Sequence, residues 1–389
     1  MDINNLTNDF IKLYGNRSNI QTFFAPGRVN IIGEHTDYNG GHVFPCALSF
    51  GTFAIASKRN DSSIYLYSKN FPLFGVIKTD INNLVYDKNH DWANYPKGVV
   101  KVFKDEGYDM HKGFNILYFG NIPNGAGLSS SASIELVTSI TLKHLYNLEL
   151  DMIEMVKLSQ RAENEFVGVN CGIMDQFASG MGKSNHGILI NTRTLNYQYA
   201  PMKLEGITIV IANTNKRRGL TDSKYNERRG QCESALKKLR YKLSISSLCD
   251  LSEEDFEEHK YLITDEVQKK RARHAVYENQ RTIKAFAALN NNDIRLFGEL
   301  INQSHISLRD DYEVSSEELN TLVEAAWSFG VLGARMTGAG FGGCTVNLVE
   351  DRKVNEFIDK VGKVYREKIG YNADFYVASI GDGAKEVKR

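Results

Sequence analysis

Four stretches concentrate side chains able to do chemistry. The first, APGRVNIIGEHTDYNGG at 25–41, sets a cation (Arg28), two carboxylates (Glu34, Asp37) and an imidazole (His35) among amides, hydroxyls and glycines. Read as a polar, glycine-bounded loop, it suits a ligand rich in hydroxyls, such as a sugar or polyol, because these groups accept from or donate to vicinal hydroxyls in fixed geometry. An ordinary solvated loop has the same composition. The second, PNGAGLSSSAS at 123–133, precedes a helical pattern. Its glycines let backbone N–H groups turn inward, and the helix adds the positive end of its dipole, which together make an anion cradle fit for phosphate. Its serines can cap that helix or bind phosphate oxygens and Mg²⁺, a cation that takes hard oxygen ligands and keeps several waters. No Gly-Lys-Ser/Thr closes it, so it is not a Walker A loop. Gly182-Lys183-Ser184 is half of one, but Phe177 stands where the leading glycine must be.

The third stretch, GAGFGG at 338–343, fits the dinucleotide pattern G-x-G-x-x-G, yet a β-like run follows it and fewer than 50 residues remain. That context argues against a dehydrogenase, and the absence of His-Arg-Asp and Asp-Phe-Gly sequences argues against a protein kinase. The fourth, CGIMDQF at 171–177, puts Asp175 at the start of a helix. A carboxylate there complements the helix dipole or serves as a base, and Arg28 is its candidate partner.

The elements that must carry these stretches follow from periodicity and turn signals. Residues 43–58 and 63–68, around the Asn60-Asp61 turn, predict a β-hairpin. Residues 113–119 predict a strand leading into the serine-rich loop, and helices are expected over 131–146, from 151 to about 167 behind an Asp151 cap, and from near Gly172. The second half predicts a buried strand at 207–212 and helices at 221–239, 265–289, 293–308 and 316–329. A strand at 344–349, a helix at 353–368 and a strand at 375–379 complete the chain. A lobe boundary is expected between 197 and 206. The basic run from Lys216 to Arg229 reads as a solvated helix face, with Tyr225 the exception taken up below.

At 389 residues, with 47 basic and 47 acidic side chains and 42% apolar residues, the chain is long enough for two lobes and has the balance of a globular protein. Zero formal net charge gives no global attraction to nucleic acid or an anionic membrane, so a small-molecule partner is expected. The first twelve residues lack the basic and apolar segments of a signal peptide, and no apolar run approaches bilayer length, so a cytoplasmic protein without a membrane span is expected. Five scattered cysteines suggest neither disulfides nor a zinc site.

Together the four stretches resemble the galactokinases of the GHMP small-molecule kinase family. Residues 27–41 are similar to the signature that separates galactokinases from other members, 125–133 to the family's phosphate loop, 338–343 to its third motif, and Trp92-Ala93-Asn94-Tyr95 to the segment near its adenine pocket. The resemblance implies an α+β, two-lobed GHMP kinase fold, with mixed sheets and helices and the active site in the cleft between lobes 1–200 and 201–389. It implies ATP-dependent phosphorylation of the C1 hydroxyl of α-D-galactose to galactose 1-phosphate, the first step of galactose utilisation. On matching positions, Asp175 would accept the hydroxyl proton and Arg28 would offset charge near it. Glu34, His35, Thr36, Asp37, the backbone at Gly172 and the phenol of Tyr225 would hold the sugar. Gly125, Ala126, Gly127, Leu128, Ser129, Ser130 and Ser131 would wrap the phosphates, Ser68, Trp92 and Tyr95 would contact the nucleotide, and Ser131 and Glu163 would bind Mg²⁺ directly or through water. The expected partners are galactose and ATP, with no nucleic acid and no membrane, and the expected state is a monomer. Two rivals share the machinery: an N-acetylgalactosamine kinase, and a galactose and ATP sensor without turnover. The intact serine run 129–133 and the presence of Asp175 favour the enzyme over the sensor.

Overall fold

Residues Gln21–Ile32 form β1 and His42–Lys58 form β2, and they pair antiparallel. Both come from a computed structural model that describes residues 3–15, 19–123, 127–202, 204–216 and 221–388, the side chains of 221–223 excepted. From Thr22 to Ile32 every residue of β1 is buried, because the strand is covered on both sides. Phe23 and Ala25 pack into a helical core, while Val29, Ile31 and Ile32 join a core shared with a second sheet. A doubly covered strand shows no polar–apolar alternation, which is why 25–41 reads as one loop in sequence. Only its second half is a loop; 25–32 is strand. The β1–β2 register slips between Pro26 and Arg28 and again between Asn30 and Ile32. Such bulges re-aim side chains and tolerate a proline without its N–H.

The remaining strands of the first sheet are β3 (Ser63–Ser68), β4 (Ile77–Asp80), β5 (Phe114–Gly120), β6 (His186–Asn191) and β7 (Tyr197–Pro201). The second sheet holds β8 (Ile207–Asn213), β9 (Gly333–Thr337), β10 (Cys344–Glu350) and β11 (Asp374–Ala378), and β12 (Lys385–Glu386) returns to β1. The first sheet runs β12-β1-β2-β5-β3-β4, with β6 on β2 and β7 on β6; the second runs β11-β8-β10-β9. The expected hairpin of 43–58 with 63–68 does not form. Strand β5 inserts between them, antiparallel to β2 and parallel to β3. The Asn60-Asp61 corner is instead closed onto Gly113, which accepts from Arg59 N at 2.9 Å and donates to the Asp61 carbonyl at 2.7 Å. A Cβ at position 113 would lie 1.7 Å from the Ser63 carbonyl oxygen, so glycine there lets β5 enter.

Eleven α-helices accompany these sheets among the described residues: α1 (Ile3–Tyr14), α2 (Asn94–Asp105), α3 (Ser130–Tyr146), α4 (Met152–Arg161), α5 (Met174–Met181), α6 (Thr221–Leu239), α7 (Glu253–His259), α8 (Glu266–Asn290), α9 (Ile294–Asp310), α10 (Glu317–Phe329) and α11 (Val354–Ile369). Side chains of Asp265, Asp293 and Ser316 cap α8, α9 and α10, as their residue types lead one to expect. The single helix expected from 151 becomes α4, capped by Asp151 onto Glu154 N, followed by a π turn at Ala162–Val167. Helix α3 is buried on nearly every side. Its Ser133 hydroxyl donates to the Ala25 carbonyl at 2.8 Å and accepts from Thr52 N at 3.0 Å, which fastens α3 to β1 and β2.

A Cβ at Gly27, within the first bulge, would stand 2.4 Å from the Leu128 carbonyl oxygen, the atom that accepts from Arg28 N at 3.2 Å. Gly27→Ala is therefore expected to cost about 1–3 kcal/mol and to lower the melting temperature, while Gly230→Ala, in α6 with open space around it, leaves it level or raises it. Equal melting temperatures for the Gly27 variant and the parent would show that the strand and loop can part without strain.

Candidate active site

The bulges of β1 aim the Arg28 side chain, only 6% exposed, at α5. There Nε donates to Asp175 Oδ1 at 2.8 Å and Nη2 to Oδ2 at 2.7 Å, a bidentate pair, while Nη1 reaches the Gly127 carbonyl at 2.8 Å. The Ser129 hydroxyl donates to Asp175 Oδ2 at 2.6 Å. Ser129 precedes α3 with a left-handed φ of 60° and makes no side-chain cap, so its oxygen serves Asp175 instead of the helix end. A carboxylate has about four lone-pair directions; these three donors leave one, on Oδ1. The expected Arg28–Asp175 partnership is thus present, and Ser129 is a partner the sequence did not disclose.

The loop after β1 divides its side chains between structure and cleft. Glu34, 2% exposed, pairs with the fully buried Arg335 at 2.9 Å. It also accepts from Gly338 N at 2.6 Å and Thr337 Oγ1 at 3.1 Å, all on Oε1, while Oε2 accepts from Asn30 Nδ2. It therefore joins the first motif to the third. The Thr36 hydroxyl is engaged with the carbonyls of Gly33 and His42. Asp37 approaches Gly172 so closely that a Cβ there would lie 2.1 Å from Oδ2. Burial, then the charges of Asp175 and Glu34, push the Asp37 carboxyl up to about 6. His35 has a left-handed φ of 63°, shares its Nδ1 with the Tyr38 hydroxyl at 2.8 Å, and packs against the rings of Tyr225 and Tyr312. Tyr225 lies near enough to Asp37 and Asp175 that their charges add to burial in raising its phenol. His35, Asp37, Gly172, Tyr225 and Asp175 are thus brought together. Around Tyr225 the basic run is not uniformly solvated, since the Arg228 guanidinium is buried on the carbonyls of Tyr312 and Glu313.

Behind Asp175, Glu163 stands on the π turn near Ser131 and accepts hydrogen bonds from Cys171 and Gln176. Burial and then the charge of Asp175 raise its carboxyl. A buried acid crowded by a second acid, beside a serine hydroxyl, is a donor set suited to a hard divalent cation that takes its other ligands from phosphates and water. The residues present fit magnesium.

Ser68, Trp92 and Tyr95 line one cavity of about 260 Å³ together with Phe71, Ser130 and Ser131. The Phe71 and Trp92 rings are nearly parallel, 12° apart in plane with centroids 6.4 Å apart, and the buried Trp92 Nε1 has no hydrogen-bond partner among the described residues. Such a slot suits a flat heteroaromatic group with acceptor atoms. Leu128 is buried and Gly127 lies against the third glycine loop, a Cβ at Gly338 falling 3.8 Å from the Gly127 carbonyl oxygen. Gly125 and Ala126 lie outside the described residues. Gln176, Arg335 and Glu135 are the site residues that sequence reasoning missed; Ser129, expected at the phosphates, also meets Asp175. For Glu135 a signal existed: it follows Ser131 by four residues, one turn along the same helix face.

Residues 94–183 match the GHMP kinases N-terminal domain, 285–367 the GHMP kinases C-terminal model, and 8–58 the galactokinase galactose-binding signature. The chain is 56% identical over 387 residues to a galactokinase of Clostridium beijerinckii, covering 99% of each chain. It is 58% identical over 388 residues to a galactokinase of Fusobacterium nucleatum, covering 99% of this chain and 100% of that one. The crystal structure of Lactococcus lactis galactokinase complexed with galactose matches with a TM-score of 0.96 at 49% identity, over 99% of this chain and 100% of that chain.

The buried imidazoles give the cleft a pH signature. Burial first, then neighbouring charges, depress His35 to about 3, His274 to about 4 and His305 to about 3. Below their ordinary value of 6.5 these groups take up protons only when unfolded, so their stabilisation is lost as pH falls from 6.5 toward 4. Asp37, Glu135 and Glu163 work the other way, holding protons in the folded state above the ordinary carboxylate range, but at the acid end of the window Glu278, lowered to about 2, and the paired Glu313 and Glu318 side with the histidines. The melting temperature is expected to fall as pH is lowered through this window. A profile flat or rising toward pH 4.5 would contradict the neutral burial of the three histidines.

Proposed function

The chain belongs to the galactokinases of the GHMP kinase family, which are phosphotransferases, and we propose that it transfers the γ-phosphoryl group of ATP to the C1 hydroxyl of α-D-galactose with Asp175 as the base. The observation that carries this reading is the Arg28–Asp175 pair, set where the sugar signature, the serine loop and the 171–177 segment meet. The cleft lies between lobes 1–200 and 201–389. In it Asp37, His35, the backbone of Gly172 and the Tyr225 phenol hold sugar hydroxyls. Glu34 contributes Oε2, and Thr36 holds the turn that presents them. The backbone from Gly127 to Ser131 wraps the phosphates, and the slot between Phe71 and Trp92, with Ser68 and Tyr95, takes the adenine.

Phosphoryl transfer asks a protein mainly to position groups and offset charge. The remaining lone pair of Asp175 Oδ1 accepts the C1 hydroxyl proton as the sugar oxygen attacks the γ-phosphorus and ADP leaves. Arg28 keeps Asp175 oriented through two bonds and offsets the charge that gathers beside it. Ser131 and Glu163 would hold magnesium, which when bound neutralises phosphate oxygens. The product, galactose 1-phosphate, is the entry point of galactose utilisation.

The test is ADP release from purified protein with Mg-ATP and galactose, N-acetylgalactosamine or no sugar, with the product checked for phosphate at C1. Galactose-dependent release supports the reading; preference for the acetamido sugar moves the substrate, and sugar binding without release with any sugar overturns the enzyme. Asp175→Asn is expected to lower kcat by about 10²–10⁴-fold, the range of general-base catalysis, with galactose affinity kept; an Asn variant with most of its turnover refutes the base. Arg28→Ala is expected to raise the barrier by about 3 kcal/mol, and a change confined to the galactose KM would make Arg28 a binding residue only.

A further inference from the structure

Glu135 and Ser131 leave the same face of α3, one turn apart. Glu135 is completely buried, a position acidic side chains take only when something holds them. Among the described residues no basic side chain forms an ion pair with it, and its hydrogen-bond partner is Gln176, whose Nε2 donates to Glu135 Oε2 at 3.0 Å. The same nitrogen donates to Glu163 Oε2 at 2.6 Å. The two hydrogens of one amide therefore span two carboxyl groups, and Gln176 directly follows Asp175 in sequence. The Cys171 thiol is shared between Glu163 Oε2 at 3.3 Å and Asn164 Oδ1 at 3.2 Å, so the Gln176 and Cys171 contacts of Glu163 both fall on Oε2.

The arrangement is costly as packing. Glu135 Oε1 and Gln176 Oε1 are buried without hydrogen-bond partners among the described residues, and each such orphan costs stability. A leucine in place of Glu135 would fill similar space without that cost. Features that spend stability in this way concentrate where function requires them. We propose that Glu135 is a positioning residue which, acting through the Gln176 amide, fixes the Glu163 carboxylate opposite Ser131 and so sets where a phosphate-bound divalent cation sits. This rests on the kinase reading above. Without Glu135 the amide loses one of its two anchors and can turn, and Glu163, on a π turn rather than a regular helix, loses the contact that holds it. Burial, followed by the charge of Glu163, raises the Glu135 carboxyl. A neutral side chain therefore suits this position, and glutamine is its conservative replacement.

The test uses the full chain and the variants Glu135→Leu, Glu135→Gln and Gln176→Met. Mn²⁺ binding in the presence of ADP is followed by electron paramagnetic resonance, galactose affinity by calorimetry, and turnover as a function of Mg²⁺. Glu135→Leu and Gln176→Met are expected to weaken Mn²⁺ binding and raise the Mg²⁺ needed for half-maximal turnover by about 10–100-fold, the usual cost of losing an outer-shell partner, with galactose affinity within about twofold. Glu135→Gln is expected to restore most of the metal affinity that leucine loses. If Glu135→Leu does not fold, Gln176→Met breaks the same relay from its middle, and wild-type Mn²⁺ affinity in that variant overturns the proposal. Parallel loss of galactose affinity and Mn²⁺ affinity, with no rescue by glutamine, also overturns it in favour of a packing role. A parent protein that binds galactose but releases no ADP sinks the kinase reading and this inference with it, whereas an active parent whose variants bind Mn²⁺ normally sinks this inference alone.

Discussion

The bidentate bond from Arg28 to Asp175 is the contact through which the first strand, the serine loop and helix α5 acquire one geometry. The guanidinium is almost wholly buried while the carboxylate side chain is 28% exposed, so the two partners do not depend on each other equally. Asp175 without Arg28 keeps contact with the cleft. Arg28 without Asp175 is a buried cation left mainly with the Gly127 carbonyl, the situation for which breaking a pair costs ~3–5 kcal/mol. Everything upstream serves that side chain. The bulges rotate it toward α5, Pro26 gives up an N–H where the ladder is already broken, and Gly27 lets the backbone close on Leu128.

Around this pair the cleft carries more acid than base. Arg28 serves Asp175 and Arg335 serves Glu34, but Asp37, Glu135 and Glu163 have no cationic partner among the described residues. All three carboxyls are pushed upward, burial being the first cause in each, and Asp175 raises each of them further. On the proposed reading, the charges of Asp175, Asp37 and Glu163 would disfavour a bare polyphosphate and favour one partly neutralised by a divalent cation. On the same reading, recognition of phosphate would rest on the backbone N–H groups of the serine loop, which add no charge, and on a metal more than on lysine or arginine. The absence of a Walker-type lysine in the serine loop follows the same logic.

Most helices were legible because their signals are local. A cap at Asp265, Asp293 or Ser316 and a run of periodic apolar residues place α8, α9 and α10 to within two residues. The topology was not, because pairing is decided at a distance. Nothing between 58 and 63 announces that β5 will take the place beside β2, since the deciding residue is Gly113, fifty positions later. Strand β1 escaped notice for another reason: its polar residues, Arg28 and Asn30, are as buried as its apolar ones, so alternation is absent and the motif looks like a loop. Within the site, Arg28, Asp175, Asp37, Gly172 and Tyr225 were named and do converge. The residues missed, Gln176, Arg335 and Glu135, act on other side chains, as does Ser129 beyond its expected place at the phosphates, and a group whose partner is another side chain leaves no motif of its own.

The basic run shows how a feature that looks like surface becomes part of the cleft. Arg228 turns Nε and Nη2 to two main-chain carbonyls, those of Tyr312 and Glu313, and Nη1 to the Glu227 carboxylate, and Arg271 adds a third carbonyl at Asp311 together with an ion pair to Glu313. Glu313 itself has a left-handed φ of 53°, a turn that needs outside support in a residue other than glycine. By fixing 311–313, the two arginines place the Tyr312 ring between His35 and His274, with centroids 4.7 and 4.5 Å away. The same helix that carries Arg228 carries Tyr225 three residues earlier, on the same face. The ring that backs His35 is therefore tied through Arg228 to the helix that carries the phenol near Asp37, with Arg271 of α8 holding the same turn. At Arg228 the positive charge is an internal fastener, held by two main-chain carbonyls, the Glu227 carboxylate and the Gln231 side-chain oxygen.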